Sequence, residues 1–180
     1  MSSLHEILSA VRSAKLADFD AWRGRLVVWT AAATAGFVVV LFTWATEYAI
    51  TFFFSLQKAH WWLPLILTPA GGMLIVWLTS RWFSGAGGSG IPQTIAALQE
   101  GERDSTHPSL VSLKLAFGKI VLGVGALAAG FSAGREGPSV QIGASVMHAF
   151  RRFLPAGFSV HPKHLILAGG VGASLASQGD

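Results

Sequence analysis

The chain has 180 residues, of which 52% are hydrophobic and only 12% charged, with a formal net charge of +4. Soluble domains carry about 25% charged residues, so this composition excludes water as the main solvent. The absence of cysteine excludes a disulfide framework and thiolate metal sites.

Residues 2–16 form the first predicted element, a short amphipathic helix. Ser3 and Glu6 have capping-box spacing, and Leu4, Ile7, Leu8 and Val11 repeat at helical period. The helix is expected on the membrane surface, with residues 1–22 as a cytoplasmic helix and linker and residues 23–180 as the membrane domain. A signal peptide is not expected, because the apolar core starts near Leu26 and runs too long. Between residues 26 and 56 only Glu47 is charged, enough helix to cross a hydrocarbon core of about 30 Å. Residues 61–79 form a second uncharged span. Trp22, Trp61, Trp62 and Trp82 sit at the ends of apolar runs, as in an interfacial belt. Arg12, Lys15, Arg23 and Arg25 precede the first span, and the turn after it offers little beyond Lys58. The positive-inside rule therefore places the N-terminus in the cytoplasm.

After Arg81 the pattern changes to short, glycine-rich apolar pieces broken by polar residues. A helix is predicted over 91–100, a polar loop over 101–108, and a longer helix carrying Lys119 over 109–133. A break at Gly134 precedes another helix from Gly137 to about Phe153. Pro162 fits the first turn of a last helix reaching about Ala176. Interrupted helices are tolerated at membrane depth only where protein or water satisfies the freed backbone groups, so the breaks point to a substrate site.

Two breaks carry the chemistry: Gly88-Ser89-Gly90-Ile91-Pro92 and Gly134-Arg135-Glu136-Gly137-Pro138. Each places a proline where a helix begins, and a helix start offers unpaired N–H groups and a partial positive charge to an anion. Ser89 adds a hydroxyl, and the amides of Gly90 and Ile91 complete a neutral donor set that can release the ion again. Glu136 is an ionisable group in an apolar stretch, a functional hypothesis by default. Its carboxylate can occupy an anion's place, and protonation would neutralise it and free that place. Arg135 and Lys119 either supply positive potential or pair with a carboxylate or carbonyl. A GxGxxG match at Gly85, Gly87 and Gly90 follows a membrane helix and not a strand, so it fails as a dinucleotide motif. His161 and His164 lack a third ligand, no basic stripe suits nucleic acid, and no nucleophile, base and orienter set suits catalysis. No enzyme, metal site or cofactor is expected.

Together, Gly-Ser-Gly-Ile-Pro and the later Gly-Arg-Glu-Gly-Pro-Ser-Val-Gln-Ile-Gly resemble the signature of the CLC family of chloride channels and chloride/proton exchangers. The resemblance covers nearly the whole chain. It implies an all-α, multi-pass membrane fold of broken, tilted helices, of which this chain is the first part of an inverted repeat. It further implies chloride as transported ligand beside protons, a homodimer in full-length relatives, and a bacterial inner membrane. By that resemblance Ser89 coordinates the central chloride and Glu136 is the external gate. Serine in the first motif is similar to chloride-selective members, whereas nitrate and fluoride branches carry proline or another residue there. The family continues well beyond residue 180 into a second repeat with a chloride-closing tyrosine and an inner proton-transfer glutamate. The tail from Leu175 to Asp180 departs from the family pattern and is read as a truncation or frame change. The alternative to chloride transport is therefore a non-transporting membrane fragment or a packing partner of another subunit.

Overall fold

The computed structural model describes the backbone of residues 2–100, 110–155 and 162–177, and side-chain surroundings for 19, 21–98, 110–155 and 163–177. Among these residues there are six α-helices and no strand: α1 (Ser2–Ala59), α2 (Leu63–Arg81), α3 (Ile91–Glu100), α4 (Leu113–Ala128), α5 (Glu136–Ala149) and α6 (Pro162–Ser177). A 3-10 turn, Phe150–Phe153, follows α5 directly. The expected loop over 101–108, His161 and the final three residues of the tail lie outside the described residues.

The expected surface helix and first span form a single helix of 58 residues. The change at Leu26 from an amphipathic to a uniformly apolar pattern is a change of surroundings. The backbone meets no proline before Pro64 and only isolated glycines, so nothing stops the helix. Its apolar part, Ala21–Ala59, has 39 residues, about 58 Å at 1.5 Å per residue. That is nearly twice a hydrocarbon core of about 30 Å, so α1 tilts within the bilayer or emerges from it. Ala31, Ala35, Val39, Phe42, Thr46 and Ala49 are buried at helical spacing, a single stripe against the bundle. Trp29, Phe37, Leu41, Trp44 and Phe52 point away from it, exposed. The second apolar helix, α2, buries no residue, and exposes Leu65, Ile66, Met73, Leu74, Val76 and Trp77. Surfaces of this kind are at ease in lipid, where outward apolar side chains lose nothing.

The later helices have 10 to 16 residues each, or about 15–24 Å, so none of them crosses the hydrocarbon core alone. Helix α5 is their centre, with Ser139, Gln141, Ile142, Ala144 and Ser145 fully enclosed. It packs on α1 through Val39, Phe42 and Ile142, and on α6 through a glycine pair. A methyl group on Gly143 would strike the carbonyl of Gly169, and one on Gly169 would strike the carbonyl of Gly143. Such close approach replaces the missing hydrophobic drive between helices in lipid. Thr68 adds a polar tie, donating to the Ala129 carbonyl at 2.7 Å.

The expected helix over 109–133 is shorter at both ends. Ser112 is extended (φ −147°, ψ 156°) and its hydroxyl accepts the Leu115 amide, an N-cap that sets the start. At the other end Gly130 takes φ +87°, its amide bonds the Leu127 carbonyl, and the Phe131 amide bonds the Ala126 carbonyl. These are the two bonds of a Schellman motif, and they end α4 before the chain reaches Gly134.

Candidate anion site

The first break, residues 86–90, is folded by three side chains that hold its backbone. Gly88 (φ +77°) and Gly90 (φ +104°) occupy the left-handed region that other residues avoid. Gln93, at the third position of α3, accepts the Gly90 amide at 2.9 Å and donates to the Gly87 carbonyl at 2.7 Å. Thr94 donates to the Gly90 carbonyl at 2.9 Å. From α4, the ammonium of Lys119 donates to the Ala86 carbonyl at 2.9 Å and also to the Gly88 carbonyl. Only 3% of Lys119 is exposed, so its charge is spread over loop carbonyls inside the protein. Of the two roles open to Lys119 in the sequence, the carbonyl partnership is the one this geometry displays.

The second break delivers Glu136 as the first residue of α5, with Pro138 in the first turn, where its missing N–H costs nothing. The Ser139 amide and hydroxyl both donate to the Arg135 carbonyl, at 3.1 and 2.8 Å. Arg135 itself reaches across to α1 and pairs with Glu47 at 3.0 Å. The carboxylate partnership is thus the one seen for Arg135.

The two breaks meet backbone to backbone. A side chain on Gly137 would strike the Ser89 carbonyl, and one on Gly90 would strike the Gly137 carbonyl. Beside this contact lies an open cavity of about 700 Å³, whose wall includes Gly88, Ser89, Ile91, Lys119, Gly134, Arg135, Glu136, Gly137 and Pro138. Ser89 and Glu136 are exposed at it. Gly90 is buried behind the wall with its amide taken by Gln93, and Pro92 is not part of the wall. Donors left at the α3 start include the Ser89 hydroxyl and the Ile91 amide, which has no partner inside its own helix. An anion here would meet neutral donors, a helix start and two cations already paired, a field attractive without being tight.

Sequence reasoning missed three contributors. Gln93 is the reciprocal half of a capping box, legible as a glutamine three residues after Gly90. Glu47 stood out as a lone charge in a span, and the default reading of such a residue would have sought its partner. Ser177, on the cavity wall from the end of α6, carries no sequence signal that links it to either break.

Interrupted helices that turn two starts towards a shared cavity, beside two long apolar helices, are the architecture of a polytopic membrane protein. Residues 71–178 match the family described as "Voltage gated chloride channel", 108 of the 180 residues. The chain belongs to that family and has its all-α membrane fold. It is similar to the H(+)/Cl(-) exchange transporter ClcA of Citrobacter koseri, 34% identical over 167 residues, covering 84% of this chain and 33% of that protein. It is also similar to the proteins of the same name in Salmonella arizonae and Salmonella paratyphi B, each 36% identical over 121 residues, covering 65% of this chain and 23% of theirs. The chain thus spans a third or less of the curated relatives it matches. No solved structure matches it with significance.

Proposed function

We propose that the chain is the first part of a chloride transporter, with anion passage through the cavity between α3 and α5. The observation that carries this reading is the direct contact of the two helix starts beside Ser89 and Glu136. Chloride exchanges part of its water shell for the Ser89 hydroxyl and the Ile91 amide, and the glycines let it approach the backbone. The Glu136 carboxylate competes for the same positive end when ionised and withdraws when protonated. One residue then links proton and chloride occupancy, in keeping with the named activity of the relatives. The N-terminus is cytoplasmic in this proposal, supported by Arg23 and Arg25 at the start of the apolar part of α1. With no native cysteine, a Ser2→Cys variant tests this: a membrane-impermeant thiol reagent should label it only after permeabilisation.

The test of transport is a chimera in which this chain replaces the matching segment of the Citrobacter koseri exchanger, assayed in liposomes for chloride and proton flux. The chimera should exchange both ions, and Glu136→Gln should abolish proton movement while chloride still passes. Unchanged coupling in the variant would sink the gate assignment. The 180-residue chain alone should give no Glu136-dependent flux. A second reading, a non-transporting packing partner, is favoured by the apolar groove of Ile91, Ile95, Leu98, Ile166, Leu167 and Val171 between α3 and α6. It would prevail if the chimera folded and passed no chloride.

A further inference from the structure

At the far end of α5 from Glu136, a second cavity of about 330 Å³ separates the start of α4 from the end of α5. Its wall includes Ser112 and Leu113 of α4, Ser145 and His148 of α5, and Arg151 and Arg152 of the 3-10 turn. We propose that this cavity is a binding site for a phosphate group. It is independent of the anion path proposed above.

The first support is an unmet hydrogen-bonding capacity. Ser145 is 0% exposed, and its hydroxyl has no partner among the described residues. The Nδ1 atom of His148, one turn further along the same face, is likewise buried and unpartnered. A buried polar group left unpaired is destabilising, and native structures rarely tolerate it without a ligand or water. The second support is the helix start at the same wall. The Ser112 hydroxyl takes the Leu115 amide and the Ser112 carbonyl takes the Ala116 amide. The amides of Leu113 and Lys114 have no partner within α4, whose positive end therefore faces this cavity. The third is the pair of exposed guanidinium groups, whose forked N–H geometry matches phosphate oxygens.

The guanidinium groups, the Ser145 hydroxyl and the α4 amides offer donors to the unprotonated oxygens of a phosphate, and His148 Nδ1 adds one in the tautomer that carries its proton. They come from three separate elements, and a phosphate presents several oxygens to share among them where a single-atom ion presents one centre. Two sources share this chemistry, the headgroup of an anionic phospholipid and free phosphate in solution.

The experiment uses the purified 180-residue chain in dodecyl maltoside micelles, which contain no phosphate. Binding is followed by ³¹P NMR with inorganic phosphate in one arm and dihexanoyl phosphatidylglycerol in the other. Saturable binding of inorganic phosphate would identify a free-phosphate site, and binding of the lipid alone would identify a headgroup site. In either case the double variant Arg151→Gln/Arg152→Gln should weaken binding at least tenfold, and Ser145→Ala about tenfold. Both arginines are exposed, so the double variant is expected to fold and gives a result even where Ser145→Ala does not. Absence of binding in both arms overturns the proposal, as does binding indifferent to the double variant. Binding that survives intact in a folded Ser145→Ala chain also overturns it, since the arginines would then act as surface charges without the cavity.

Discussion

The two halves of the molecule solve opposite problems with the same secondary structure. Helices α1 and α2 meet the bilayer with long helical runs, in which Pro69 of α2 leaves one carbonyl without its helical donor, and their outward residues need only be apolar. Helices α3 to α5 are short, and side chains must hold the backbone where they begin. Gln93 takes the Gly90 amide and Ser112 the Leu115 amide, while Thr94 and Lys119 bond carbonyls of the break before α3. The lesson is that identical residue types have different worth in the two regions. Gly36 in α1 meets nothing that a side chain would strike, whereas Gly137 at a break is a geometric requirement.

Substitution at glycine should therefore give the widest contrast. Gly137→Ala sets a methyl group against the Ser89 carbonyl, which is backbone and cannot swing aside. Overpacking of this kind costs about 1–3 kcal/mol, and more where backbone must move. Gly36→Ala in α1 meets nothing within 4 Å, and should stabilise the helix by about 0.5–1 kcal/mol. Thermal unfolding followed by circular dichroism should move in opposite directions for the two variants. A shift of the same sign would break the distinction between the regions.

Next in size is Lys119→Met, which keeps the stem and removes the ammonium. Two loop carbonyls, those of Ala86 and Gly88, lose their donor. Each buried group left unpaired costs about 1–3 kcal/mol, and the loss should fall on the loop before the spans. Hydrogen exchange should accelerate at residues 87–91 and stay unchanged in residues 30–45 of α1. Uniform acceleration would mean that Lys119 supports the whole bundle and not the break.

The same contrast explains what the sequence could tell. The spans are written in composition, and the family signature in two pentapeptides. Helices over 91–100 and from Pro162 follow from proline and glycine punctuation and appear where that punctuation places them. The junction near residue 22 does not appear, because a change of hydrophobic pattern was taken for a change of backbone. The expected helix over 109–133 ran through Gly130, although a glycine at that position suits a helix stop. The capture of the Gly90 amide by Gln93 was open to a capping-box reading, whereas the pairing of Arg135 with Glu47, 88 residues apart, depends on a distance that spacing does not contain.

A smaller effect is expected for Gln93→Leu. It removes the side chain that closes the α3 start and frees the Gly90 amide. Loss of a cap costs about 1 kcal/mol, so the melting temperature should fall modestly. Exchange at the Gly90 amide should rise more than at any residue of α3. Protection that persisted there would show that packing against Gly137, and not the glutamine, shelters the amide.

The smallest effect is expected where the two regions touch through charge. The Arg135 side chain is 36% exposed and that of Glu47 50%, so their bond at 3.0 Å is open to whatever surrounds it. In water such a pair contributes about 0–1 kcal/mol. In hydrocarbon, removing one partner would strand a charge and cost about 3–5 kcal/mol. Arg135 stands on the wall of a cavity of about 700 Å³, large enough to hold water, and shares that wall with Ser89, Lys119 and Glu136 as polar partners for it. Glu47→Gln should accordingly cost less than about 1 kcal/mol, with the loss shrinking further at high salt as the remaining attraction is screened. A larger, salt-independent loss would place the pair in lipid, and would move the boundary between the spanning and the broken region to the outer side of Arg135.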